Sequence, residues 1–144
     1  MIIWITGISG AGKTTISRLL YKHYVDQSNN VILLDGDQLR EVFREQGKRH
    51  GYSRHDRLSL ALKYSKLCKL ISNQHVDIII ATISMFEEVY AWNRQNLSDY
   101  FEVYLKVPKE VVIDRDGKGL YKNYLSGQSK NIAGFDLVVD EPTQ

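Results

Sequence analysis

The sequence predicts an α/β fold in which helices cover both faces of a central parallel sheet. Three observations carry that prediction. Short apolar runs alternate with segments whose apolar residues recur at helix spacing, the pattern of parallel βαβ units. One run, Asp77-Ile78-Ile79-Ile80-Ala81-Thr82-Ile83, is apolar almost throughout, as a strand buried on both faces must be. Finally, Gly7-Ile8-Ser9-Gly10-Ala11-Gly12-Lys13-Thr14-Thr15 reads G-x-x-x-x-G-K-T between an apolar run and a helical pattern, the context a phosphate-binding loop needs.

The elements follow in order. Ile2 to Ile5 form the core of a first strand, residues 2–6, and residues 13–26 a helix with Ile16, Leu19, Leu20 and Tyr24 on its apolar face. Ser28-Asn29-Asn30 is a polar turn. Val31 to Leu34 is a short buried strand, and residues 38–45 a short helix with Leu39, Val42 and Phe43 inward. Residues 46–52, basic and glycine-containing, read as loop. Ser53-x-x-Asp56 is a capping pattern that opens a long helix to about Ser72, whose inward face is Leu60, Ala61, Tyr64, Leu67, Cys68 and Ile71. After the strand at 77–83, residues 86–97 are helical. Phe101, Val103, Leu105 and Val107 alternate as a strand with one less buried face. Pro108 suits the first turn of a helix to about Asp114. Residues 115–134, rich in Lys, Gly and Ser, read as a mobile segment.

The 144 residues suit one domain around one core, residues 1–144. A net charge of +2 without a long basic block argues against nucleic acid as the partner. The single cysteine, Cys68, cannot form an internal disulfide and reads as core packing. The apolar N-terminal run is too short for a signal peptide or a membrane span, so no membrane partner is expected and the cytoplasm is the default location. The four histidines show no metal-ligand spacing.

Parallel sheets bind ligands at the carboxyl ends of their strands. The glycine-rich loop follows the first strand, Asp35 and Asp37 the second, and Ser84 the central one, so all should converge on one edge. Asp77 begins its strand and belongs to the opposite edge, which removes it as a metal ligand. In the loop, glycines let backbone N–H groups turn onto phosphate oxygens at a helix N-terminus; Lys13 should reach the outer phosphates and the Thr14 hydroxyl a Mg²⁺. Asp35-Gly36-Asp37 admits two readings. It is a turn and helix cap, or its carboxylates orient an attacking hydroxyl or hold Mg²⁺ through water. Arg40, one helical turn after Asp37, could hold an anionic acceptor.

Across nearly its whole length the chain resembles the adenylyl-sulfate kinase family. GISGAGKTT at 7–15, LDGDQLR at 34–40, GYSRHDR at 51–57, TISMF at 82–86, FEVYLKVP at 101–108, RDGKGLYK at 115–122 and GFD at 134–136 occur in the family's order. The resemblance implies a three-layer P-loop kinase fold. It also implies transfer of the γ-phosphoryl group of MgATP to the ribose 3′-hydroxyl of a nucleotide with a modified 5′-phosphate, as in adenylyl sulfate. By motif, Gly7, Ser9, Gly10, Ala11, Gly12, Lys13, Thr14 and Thr15 would bind ATP. Asp35 would be the base or, with Thr14, the Mg²⁺ organiser. Asp37, Arg40, Tyr52 and Arg57 would line the acceptor site, and Phe86 would stack on the acceptor base. Ser84 matches a serine that some members are said to phosphorylate, although direct transfer needs no covalent intermediate. Lys118, Gly119, Leu120 and Lys130 would also contact the acceptor, and with Lys122 they fall in a lid, about 115–134, over the nucleotides. Relatives in the family are commonly homodimers.

Plainer readings stand beside these. Arg57 would be a solvated residue of a first helical turn, Tyr52 a loop anchor, Phe86 core, and Asp56 a cap rather than a ligand. The chain also departs from the family at Gln38, Tyr52, Ser59, Leu60, Met85 and Ile132, several of them where an acceptor would sit. TISMF followed by Asn93-Arg94 resembles a capsule-linked branch that phosphorylates cytidine diphosphoramidate, the alternative acceptor. A catalytically inactive nucleotide-binding module is a third reading. A P-loop ATPase or GTPase switch is disfavoured, because the central apolar strand ends in Thr82-Ile83-Ser84 rather than in a metal-binding Asp. The family usually continues through another strand and helix, so the domain is expected to be short at its C-terminus. Phe135 to Val139 reads either as a shortened last strand or, with Gly134-Phe135-Asp136, as the end of the lid.

Overall fold

The most apolar run of the chain lies in the middle of a parallel sheet. The computed structural model describes residues 1–27, 29–43 and 53–143. In chain order its elements are β1 (Ile2–Thr6), α1 (Lys13–Asp26), β2 (Val31–Asp35), α2 (Gly36–Val42), α3 (Arg54–Ser72), β3 (Asp77–Thr82), α4 (Glu87–Asn96), β4 (Tyr100–Tyr104), α5 (Lys109–Arg115) and α6 (Leu120–Leu125). The four strands form one sheet in the order β2-β3-β1-β4. All neighbours are parallel: Ile2 pairs with Ile78 and with Tyr100, and Val31 with Asp77. The α/β class with helices around a parallel sheet is as expected.

The period-two alternation of β1 and β3 divides the core between two faces. Ile2, Trp4, Ile78 and Ile80 pack on one face against Leu60, Ala61, Tyr64 and Cys68 of α3 and Val89 of α4. Ile3, Ile5 and Ile79 pack on the other against Leu20, Tyr21 and Tyr24 of α1. A third cluster, Ile8, Ala11, Met85, Val112, Tyr121 and Ile132, sits over the carboxyl edge and joins the glycine-rich loop to α5 and α6.

Several boundaries differ from expectation for identifiable reasons. The buried face of α1 is displaced from the apolar stripe: Leu19 is 62% exposed, whereas Ser17 is buried. Ser17 satisfies its hydroxyl on the Thr14 carbonyl, which lets a small polar residue face the sheet. The helix α2 begins at Gly36 because Asp35 caps it, and Val42, read as inward, is 77% exposed. The strand β4 ends at Tyr104, and Phe101 is 56% exposed because β4 is an edge strand. Pro108 is the N-cap of α5 rather than part of its first turn. The segment read as mobile contains α6, whose Tyr121 is buried. Phe135 to Val139 make no strand; only the bridge Ala133–Leu137 forms there. Ser53 caps α3 by accepting the Asp56 N–H, as its pattern required. Asp77 lies at the amino edge and pairs with the terminal amine of Met1 at 2.7 Å.

Cys68 is a free thiol with no exposed surface, and burial pushes its pKa up to about 12. Thiolate is the reactive form, so the native protein should resist thiol reagents at pH 8 and label only at the rate of opening. Rapid stoichiometric labelling of the folded protein would contradict this packing.

Candidate functional site

The segments after β1, β2 and β3, with α3 and residues 115–139, line a cavity of about 780 Å³ at the carboxyl edge. Gly12 takes a left-handed conformation (φ 97°) as the N-cap of α1, so the glycine-rich loop turns directly into a helix N-terminus. Ser9, Gly10, Gly12, Lys13, Thr14 and Thr15 line the cavity. Gly7 and Ala11 are not among its lining residues; Ala11 is buried in the third cluster. Lys13 Nζ donates to the carbonyl oxygens of Gly7 at 2.7 Å and Ile8 at 2.8 Å. Burial pushes its pKa down to about 8; the charges of Asp37 and Asp35 oppose that shift and Lys118 adds to it. Desolvation costs the ammonium form more than the two carboxylates recover.

Asp35 caps α2 and also faces the cavity. Its Oδ1 accepts the N–H groups of Asp37 at 2.9 Å and Gln38 at 3.4 Å, and the residue lines the cavity. Gly36 sits at a close approach: a Cβ there would lie 3.0 Å from Thr82 Oγ1 and 3.1 Å from the Ala81 carbonyl oxygen. A side chain there would force Thr82 or the Ala81 carbonyl to give way by a few tenths of an ångström, so glycine suits the close approach of the ends of β2 and β3. Asp37 Oδ2 accepts from Lys118 Nζ at 2.6 Å, an exposed pair that raises the lysine's pKa and ties the segment after α5 to α2.

Arg40 and Arg57 also line the cavity. Arg57, in the first turn of α3, reaches across to donate to the Asn131 carbonyl at 2.8 Å. Ser84 is buried, shares a 2.8 Å hydrogen bond with Thr82 and lines the same cavity. Phe86 is 3% exposed, packs in the core as its plainer reading expects, and also lines the cavity. Tyr52 lies outside the described residues. Lys118 and Leu120 line the main cavity; Gly119 instead forms the N-cap of α6 in a left-handed conformation. Lys130 lines an adjoining hollow of about 340 Å³ whose wall also includes Ser9, Arg57 and Leu120.

Sequence reasoning missed several wall residues. Tyr64 lies seven positions after Arg57 and four after Leu60, and all three line the cavity, so helical spacing from Arg57 would have found them. Burial pushes the Tyr64 phenol up to about 12, and its hydroxyl donates to the Gly36 carbonyl at 3.4 Å. Tyr121 donates to the Ser9 carbonyl at 2.6 Å, binding α6 to the glycine-rich loop. Asp116 holds the start of α6 through the N–H groups of Tyr121 and Lys122 at 3.1 and 2.8 Å. No sequence pattern announced Ala133, Leu137 and Val139 as wall residues.

Among the described residues no group of three or more His, Cys, Asp or Glu forms a metal cage. The edge instead offers the Thr14 hydroxyl and the Asp35 carboxylate. This sparse oxygen set fits Mg²⁺, which keeps several waters and relies on substrate phosphates. No helix among the described residues is long and apolar enough to cross a membrane.

Residues 1–144 match the family model described as adenylylsulphate kinase. The chain is 41% identical to the cytidine diphosphoramidate kinase of Campylobacter jejuni subsp. jejuni serotype O:2 over 141 residues, 98% of this chain and 81% of that protein. It is 34% identical to the adenylyl-sulfate kinase of Pseudomonas aeruginosa, over 99% of this chain and 72% of that one. It superposes on the Mycobacterium tuberculosis APS kinase CysC, solved in complex with AMPPNP and APS. That match has a TM-score of 0.88 and 27% identity, and covers 99% of this chain and 83% of that one.

Two measurements follow from the site geometry. With Lys13 at about pKa 8, a bound polyphosphate raises that pKa, so binding takes up a proton above pH 8. Titration calorimetry with a non-hydrolysable ATP analogue should give a nearly constant affinity from pH 6.5 to 7.5. Above pH 8 the affinity should fall towards about tenfold per pH unit; a flat profile to pH 9.5 would contradict the desolvated lysine. Gly36→Ala should cost roughly 1–3 kcal/mol in denaturant melts by overpacking the β2–β3 junction.

Proposed function

The chain therefore belongs to the adenylylsulphate kinase family, and we propose that it transfers the γ-phosphoryl group of MgATP to a ribose hydroxyl of a nucleotide whose 5′-phosphate carries a further substituent. One observation supports this above the rest: the phosphate loop, Asp35 and two arginines, Arg40 and Arg57, open into a single cavity. Phosphoryl transfer needs positioning and charge stabilisation more than covalent chemistry, and the site supplies both.

The roles follow from placement. Protonated Lys13, with the loop N–H groups and the α1 N-terminus, holds the β- and γ-phosphates. Thr14 and Asp35 would hold Mg²⁺, which when bound neutralises charge on the phosphate oxygens. The Asp35 Oδ1 is engaged by two N–H groups, which fixes the carboxylate and leaves Oδ2 to orient the attacking hydroxyl or receive its proton. Arg40, Arg57 and Asp37 bind the acceptor, Tyr52 joins them by its place in the motif, and Phe86 stacks on the base. Ser84 orients the site through Thr82 and forms no covalent intermediate, since transfer is direct. Lys118, Gly119, Leu120 and Lys130 belong to a lid over residues 115–134 that keeps water from the γ-phosphate. Residues 1–144 act as one kinase domain, working as a homodimer.

Cytidine diphosphoramidate is the acceptor we favour, on the 41% identity to the Campylobacter kinase and the apolar Leu60 and Ile132 at the acceptor end. Adenylyl sulfate is the second reading, supported by the family model and the Pseudomonas relative.

A coupled ADP-release assay should show turnover with MgATP and cytidine diphosphoramidate and little with adenylyl sulfate; the reverse preference would assign the second reading. Lys13→Ala and Asp35→Asn should each lower acceptor-dependent turnover by roughly 10²–10³-fold. ATP binding without transfer to either acceptor would leave the inactive module. Light scattering at working concentration should give twice the protomer mass; a monomer would remove the homodimer.

A further inference from the structure

The helix α4 has no side-chain cap of its own: Phe86 occupies the N-cap position and cannot accept a hydrogen bond. A residue from the far end of the chain supplies one. Asp140 Oδ2 accepts the Glu87 N–H at 3.0 Å and an Arg54 Nη2 proton at 2.9 Å. Its backbone is engaged as well: the Asp140 N–H donates to the Met85 carbonyl at 3.0 Å, and its carbonyl accepts from the Tyr90 hydroxyl at 3.1 Å. Arg54 completes the clasp by pairing with Glu88 at 3.2 Å and lying over the Phe86 ring at 5.2 Å.

The clasp joins two walls of the cavity without touching it. Met85 and Phe86 line one wall, and Ala133, Leu137 and Val139 the strap that faces it, while Arg54 and Asp140 are not among the lining residues. The start of that strap is held separately by Arg57 on the Asn131 carbonyl. The two anchors thus fasten the strap at both ends, one of them adjacent to Phe86. We propose that Asp140, gripped by Arg54, is a positioning residue that sets the distance between the strap and Phe86, and with it the fit of the acceptor base. This rests on the kinase reading above.

The test compares Asp140→Ala, Asp140→Asn and Arg54→Met with Lys106→Ala. The last breaks an exposed pair with Glu141 beside the clasp and serves as the control. Kinetic constants for acceptor and MgATP are measured together with amide hydrogen exchange. In Asp140→Ala the acceptor KM should rise about tenfold, the loss expected for a hydrogen bond to a charged group, with the MgATP KM within about twofold. Asp140→Asn, which keeps an oxygen for the Glu87 N–H, should lie between. Arg54→Met, which keeps its stem on Phe86, should repeat the direction even if Asp140→Ala folds poorly. Lys106→Ala should change nothing. Equal rises in both KM values, or an unchanged acceptor KM in both Asp140→Ala and Arg54→Met, would overturn the proposal. Should the wild type turn over neither acceptor, the kinase reading fails on its own. Exchange then decides: faster amides over residues 132–139 with unchanged loop amides at 8–14 support the clasp, and unchanged strap amides overturn it.

Discussion

Parallel pairing is the constraint on which the rest of this structure depends. Because β1, β2, β3 and β4 run the same way, the segments that follow them emerge at one edge. The phosphate loop, the Asp-Gly-Asp turn and the Thr82-Ile83-Ser84 exit meet there although some seventy residues separate the first from the last. The pairing also explains why the sheet centre is so apolar: β1 and β3 have helices on both faces and no route to water.

At that edge the chemistry depends on how much charge can be kept out of water. Lys13 is buried enough to lose part of its affinity for a proton, and its ammonium group rests on two loop carbonyls. A phosphate arriving there meets a cation with little solvent to displace, so the interaction is stronger than at the surface. Asp37 and Lys118 pair in the open, where the contribution to stability is small. Such a pair can be made and broken at little cost, as the proposed lid over the acceptor would require.

The helix α6 and the strap are held by a few polar contacts over a small apolar cluster. Tyr121 belongs to that cluster and hydrogen-bonds the Ser9 carbonyl, which ties α6 to the phosphate loop. The strap forms one bridge and a few turn-like hydrogen bonds of its own, packs on the third cluster, and is tied to the rest of the chain by Arg57 at one end and Asp140 at the other. Its wall residues are therefore placed by contacts remote in sequence.

Much of this was legible in the sequence. The hydropathy of Ile78 to Ala81 announced a central strand, the glycine-rich loop with Lys13 announced a phosphate site, and the strand-end rule gathered Asp35, Asp37 and Ser84 at one edge. These are local or periodic signals, and a chain of alternating strands and helices leaves them little choice. Tertiary structure alone decided which face of α1 is buried, because Ser17 satisfies its hydroxyl locally and packs where Leu19 does not. It decided that the expected mobile segment carries α6, since Tyr121 finds a cluster built from four other parts of the chain. It also decided that Asp140 caps a helix it follows by more than forty residues. A composition or a period records what a residue prefers; the partner that satisfies that preference is known only once the distant segments have met.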